Sequence, residues 1–189
     1  MVGGESVERR EQLAVAAFDR VAEAGFEGLR LRQVAEDVGI DHSTLHHHFA
    51  TKQDLIGAVA EYTTRQFRST GPSGSDPAAA LHEHLRALRR LMTDRPHLFV
   101  VSAELDLRAR RDPAVAAAMA RHESGWREVL TRLLAAGTWA HPIDVDATAE
   151  LVIATVKGVR LVPEQAGPAL AQLEALLAGA DDRDEEERP

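Results

Sequence analysis

The chain is predicted to be all-α, on three observations. Apolar residues recur at helical spacing through most of its 189 residues, Gly and Pro punctuate those stripes, and no run alternates as a half-buried strand would. Hydrophobic residues make up 44% but aromatics only 4%, so the core must rest on Ala, Leu and Val. Small and unbranched side chains lose little rotamer freedom in a helix, which favours that class. The absence of Cys excludes disulfides, thiolate metal sites and a Cys nucleophile. No apolar core follows the N-terminus, and stretches such as 98–101 and 115–120 are far too short to span a bilayer. A soluble cytoplasmic protein with no membrane partner and no cofactor is the expectation.

The first helix is expected over Glu8–Ala24, its stripe formed by Leu13, Ala16, Ala17, Val21 and Ala24 and closed by Gly25. Leu31–Val38 reads as a short second helix ending at Gly39. Asp41 can cap a third, His42–Phe49, and Thr51 a fourth whose Leu55, Ala58, Val59 and Tyr62 share a face. The turn-rich run from Gly71 to Pro77 marks a boundary. Beyond it, Ala78–Thr93 repeats Leu81, Leu85, Leu88 and Leu91, and Pro96 opens a helix over Leu98–Arg110. Pro113 suits the first turn of Ala114–Ala136, a helix expected to be interrupted by Gly125. Asp144–Val162 and Pro168–Ala178 complete roughly nine helices, and the acidic run 181–187 is expected to be a disordered tail. The division is therefore 1–70, 71–180 and 181–189.

Net charge is −8, and residues 1–62 hold 6 basic against 11 acidic residues, so no broad basic field faces a nucleic acid. Any DNA-binding surface must come from a few placed groups. The two short helices around Gly39 nevertheless form a helix-turn-helix pattern, in which the first helix braces the second against the major groove. The run from Gly25 to Leu55, with Val34-Ala35, Gly39, Thr44-Leu45, His48-Phe49, Lys52 and Leu55, closely resembles the DNA-binding domain of the TetR family of bacterial regulators. The resemblance covers about residues 8–60. It implies a three-helix DNA-binding domain, a divergent helical ligand-binding domain, and a homodimer formed by the last helices. Three positions depart from the family pattern. Arg30 stands where a Ser or Thr usually caps the second helix, at a cost of about 1 kcal/mol. His46 replaces the usual Tyr, and Ser43 the usual Gly or Ala.

Within that pattern His42 and His46 are candidates for base edges, with Ser43 a further source of specificity and His47 a candidate for DNA contact. Thr44, His48 and Lys52 match the family's phosphate contacts, Lys52 at a helix start where backbone N–H groups also favour an anion. Arg32 could reach guanine or pair with Glu36 one turn on; both uses stand open. His42 and His46 have the spacing of two zinc-binding imidazoles, but no third ligand follows at a sensible offset. Leu45, Phe49, Val34, Ala35, Val38, Leu55 and Phe18 should be core.

In the second domain Met92, His97, Phe99, Glu104, Met119, His122, Trp126 and Trp139 could line a pocket for an organic effector, although Trp and Met in helix stripes also serve as plain core. The stripe Val152, Ile153, Val156, Val159, with Arg160 at its edge and Leu170, Leu173 and Leu177 on the last helix, is expected to form a four-helix seam between two copies. No acid pair, nucleophile–base arrangement or Gly-rich phosphate loop suggests an enzyme. The expected function is a homodimeric repressor that binds a palindromic double-stranded DNA operator and is released by an unknown small-molecule effector. A histidine-based metal sensor on the same fold is the alternative, and an all-α enzyme with a site assembled from distant residues ranks below it.

Overall fold

The computed structural model describes residues 2–178, with side chains from Ser6 onward; the acidic run 181–187 lies outside them. Within the described residues nine α-helices and two short 3-10 segments are joined by turns, with no strand. They are α1 (Val2–Gly28), α2 (Leu31–Asp37), α3 (His42–His48), α4 (Lys52–Gln66), α5 (Pro77–Asp94), α6 (Pro96–Ala109), α7 (Pro113–Ala136), α8 (Val145–Val159) and α9 (Ala166–Leu176). No helix is long and apolar enough to cross a membrane. Two compact units are formed: the chain up to Phe67 with His97–Arg121, and Arg68–Pro96 with the chain from His122 on. Chain order is not followed, since most of α6 and the first turns of α7 group with the N-terminal helices.

The first unit is organised by α1, which packs on α4, α2 and α3. Its regular helix stops at Gly25, where φ of 65° and ψ of 176° break the spiral as expected of a glycine in that position. Leu13, Ala17, Phe18 and Val21 of α1 are buried with Val34, Ala35, Leu45, Phe49 and Leu55. Burying each large apolar side chain contributes about 2 kcal/mol. Gly39, at φ 72°, makes the turn into α3. The Thr51 cap is reinforced by Asp54, whose carboxylate accepts from the Thr51 amide. Two expectations shift here. Val38 is only half-buried, because it caps the end of α2. The buried face of α4 passes through Leu55, Ile56, Val59, Ala60 and Thr63, leaving Ala58 and Tyr62 half-covered.

In the second unit α9 packs on both α5 and α8. Asp76 and Asp144 cap α5 and α8 by accepting from Ala79 N–H (2.8 Å) and Ala147 N–H (3.0 Å). Gly125 does not interrupt α7, which runs through it, since one exposed glycine costs a helix only about 1 kcal/mol. The end of α8 comes at Val159, short of Val162, because the residue before Pro163 is driven out of helical conformation. Pro168 is accommodated in the first turn of α9, which begins at Ala166.

The expected subunit seam needs correction. Val152, Ile153, Val156, Val159, Leu170, Leu173 and Leu177 are all at most 5% exposed within the single chain. They are already covered by its own helices and have no surface left for a partner; Arg160, at the end of α8, is half-buried. The apolar side chains exposed on this side are instead Leu151, Leu161, Val162 and Leu176.

Candidate nucleic-acid interface

Helix α3 is seven residues long, too short to be stable alone, so its neighbours set its orientation. Leu45, and Phe49 just past its end, are fully buried beneath it. At its start Asp41 accepts from the Thr44 amide (2.9 Å), the Thr44 hydroxyl (2.9 Å) and the Ser43 hydroxyl. The Ser43 hydroxyl above all, with the Thr44 groups, holds the Asp41 carboxyl far below the usual carboxylate range. Both hydroxyl protons are therefore committed to Asp41. A phosphate needs donors, so Ser43 and Thr44 must leave Asp41 before either can bind one.

His42, His46 and His47 are exposed and His48 is half-buried. The His42 and His46 rings meet edge to face with centroids 4.6 Å apart. His46 Nδ1 lies 3.3 Å from the Ala50 carbonyl, a hydrogen bond when that nitrogen carries the proton. Nε2 is then the atom left to meet a base edge. Arg32 adopts the second of its two uses, Nε lying 3.0 Å from Glu36 Oε1 in an exposed pair worth about 0.5 kcal/mol. Lys52, also half-buried, donates to the Phe26 carbonyl at 3.3 Å. Burial, then the nearby Arg30 and Arg108 charges, push its ammonium below the ordinary lysine range. Arg30 does not cap α2; its guanidinium turns back to the Glu27 carbonyl at 2.5 Å. Among the described residues no three metal-ligating side chains converge, so the histidine pair gains no further ligand.

Residues 13–59 match the family of bacterial regulatory proteins called tetR. An HTH-type transcriptional repressor of Mycobacterium tuberculosis is 33% identical over 93 residues, covering 45% of this chain and 49% of that protein. Residues 13–59 therefore carry a tetR-type domain. The chain spans about half the length of the curated relatives it matches. Over the whole fold, a Rhodococcus transcriptional regulator is 27% identical with a TM-score of 0.78, across 89% of this chain and 95% of that one. The multidrug-binding protein EbrR, solved with imidazole, is 25% identical with a TM-score of 0.64, across 90% and 95%.

Several contacts of the first unit were not legible in the sequence. Arg9 and Arg10 of α1 reach the Val38 and His48 carbonyls at the ends of α2 and α3. Arg20 forks onto Asp37 at 2.7 and 2.6 Å, and Arg65 Nη2 donates to both Glu11 carboxylate oxygens at 2.7 and 2.6 Å. Gln53 and Arg108 (3.1 Å) meet on Asp112, which also caps α7. Only the adjacent Arg9-Arg10 pair is visible as a pattern; the other partners lie too far apart in sequence.

The expected effector residues divide between the units. In the first, His97 is exposed, Met119 is buried, and Phe99 is buried with its ring edge-on to Phe67. Glu104 accepts from the Phe26 amide at 3.3 Å, so it holds the corner after α1. In the second, Met92 and His122 are half-buried. Trp139 closes the end of α7: its indole N–H donates to the Leu134 carbonyl (2.8 Å), and a Cβ on Gly137 would lie 2.5 Å from its ring. Trp126 donates to Nε2 of His84 at 2.8 Å, while His84 Nδ1 faces the Thr70 carbonyl. His84 is 4% exposed and was missed, although it sits beside Leu81 and Leu85 on the buried stripe of α5.

Proposed function

We propose that this chain is a transcriptional repressor that binds a palindromic DNA site as a homodimer and leaves it when a small organic molecule binds. The observation that carries the DNA-binding reading is the α2–turn–α3 unit, capped and buried on one side and presenting His42, His46 and His47 on the other. In this reading those histidines meet base edges. His48, Lys52 and, once freed from Asp41, Thr44 meet phosphates, while Ser43, freed likewise, meets a base edge and Arg32 exchanges Glu36 for DNA. Dimerisation uses the outer face of the last helices, where Leu151, Leu161, Val162 and Leu176 remain exposed. Similarity to a multidrug-binding neighbour supports an organic effector, with Met92, His122 and Trp126 the pocket candidates of the second unit. Such a regulator works in the cytoplasm. Selecting bound duplexes from a random pool tests the reading: two symmetric half-sites about one helical turn apart, ~34 Å, are expected. Failure to enrich any sequence would overturn it.

Replacing Lys52 by Ala is expected to weaken binding to every duplex about equally and to lower the salt slope by about one. A titration series at several salt concentrations checks this, and a loss confined to the selected site contradicts the phosphate role.

His46 keeps Nδ1 on the Ala50 carbonyl and offers Nε2 to a base edge. His46→Tyr is expected to change one preferred base in the selected site. If the selected sequence stays as it was, His46 does not read DNA.

A further inference from the structure

We infer that Arg10 is a positioning residue for DNA recognition, holding the C-terminal end of α3 at the angle from which its histidines meet bases. The inference rests on the DNA-binding reading above. The two ends of α3 are held by different means. Its start is tied by its own neighbour Asp41. At its end the chain leaves in extended conformation at Phe49, so the carbonyls of the last turn lack the helical N–H donors they would otherwise meet. The Phe49 amide satisfies Leu45 O at 2.9 Å. His48 O is met by Arg10, whose Nη1 donates to it.

The same guanidinium lies 4.1 Å from the centroid of the Phe49 ring, and that ring is fully buried. One planar cation thus answers the negative end of α3 and stacks on the residue that pins it to the core. The next residue of α1, Glu11, is forked onto Arg65 of α4, so Arg10 extends from an anchored turn. Arg9 makes the parallel contact to Val38 O, but at 3.5 Å and shared with Gln12, a looser hold on the helix that does not read DNA. Without Arg10, α3 stays tied at Asp41 and pinned by Leu45 and Phe49, but the His48 carbonyl loses its donor and the His46–His48 turn is held less tightly at its angle. Contacts to specific bases depend on that angle, whereas diffuse attraction to phosphates does not. Lys offers one point donor and no flat face for Phe49, so it should restore the hold only in part.

The test uses the full chain, its selected operator and a scrambled duplex of equal length, titrated by fluorescence anisotropy at several salt concentrations. Arg10→Ala is expected to lower the operator-to-scrambled affinity ratio about tenfold, the effect of losing one charged hydrogen bond, with the salt slope unchanged. Arg10→Lys should fall between the two. A direct phosphate contact would instead weaken both duplexes alike and reduce the slope by about one, and that result overturns the inference. So does an unchanged ratio in Arg10→Ala. Should thermal melting show Arg10→Ala unfolded, Arg10→Lys decides: a lowered ratio at constant slope supports the positioning role, and a wild-type ratio overturns it. A wild-type chain that selects no sequence overturns the DNA-binding reading and this inference with it.

Discussion

Placing Asp at Val156 is expected to unfold the second unit and not to release a folded monomer. Val156 is 4% exposed on the face of α8 that also buries Val152, Ile153 and Val159. A carboxylate there enters an apolar stripe with only the half-buried Arg160 one turn on, and burying it costs several kcal/mol, comparable with the ~5–15 kcal/mol that holds a domain together. Leu151 lies on the opposite side of α8 and is 51% exposed. Leu151→Glu should leave fold stability within about 0.5 kcal/mol, yet place like charges across the proposed dimer seam. Sedimentation with thermal melting separates the two: unfolded or aggregated Val156→Asp, and folded, monomeric Leu151→Glu. A folded monomer from Val156→Asp would return the seam to the buried stripe. An intact dimer from Leu151→Glu would remove the outer face of α8 from it.

That pair of substitutions shows where sequence reasoning stopped. The starts of α3 and α4 were legible because their signals are local: Asp41 and Thr51 each accept a backbone N–H three residues on. Gly25 and Gly39 were legible as ends because their positive φ suits glycine. The stripe on α8 was legible as apolar, but an apolar stripe does not say whether it is covered by its own chain or by another. The helix carries a second, weaker apolar face through Leu151, and only packing tells them apart. The same limit explains Glu104. An acidic residue among Leu and Val suggests a pocket, whereas its partner, the Phe26 amide, lies 78 positions away. The reading head was the best-defined site, since a short motif names its residues. What the motif could not show was the commitment of Ser43 and Thr44 to Asp41, or the role of Arg10 from another helix.

Acid should weaken the second unit through His84. Its Nδ1 must carry the proton to bond the Thr70 carbonyl, and its Nε2 must be bare to accept from Trp126, since an indole only donates. The fold therefore holds the neutral ring. Burial is the larger influence and lowers its pKa, while the bond to Thr70 works the other way. In the unfolded chain the ring titrates near ~6.5. As pH falls below that value the unfolded state takes up a proton that the folded state refuses, so stability is full above about 6.5 and declines until the lower folded value is passed. His84→Gln, neutral throughout, should remove that part of the decline between pH ~7 and ~5. His84→Ala should cost about 2–4 kcal/mol at neutral pH, because the Thr70 carbonyl and the Trp126 N–H are left without this partner in a buried place. The two tryptophans give an internal control by NMR. The indole N–H signal of Trp126 should move as His84 titrates, while that of Trp139, bonded to the Leu134 carbonyl, should stay. Equal acid slopes in wild type and His84→Gln would show that His84 does not set the acid limit of this unit.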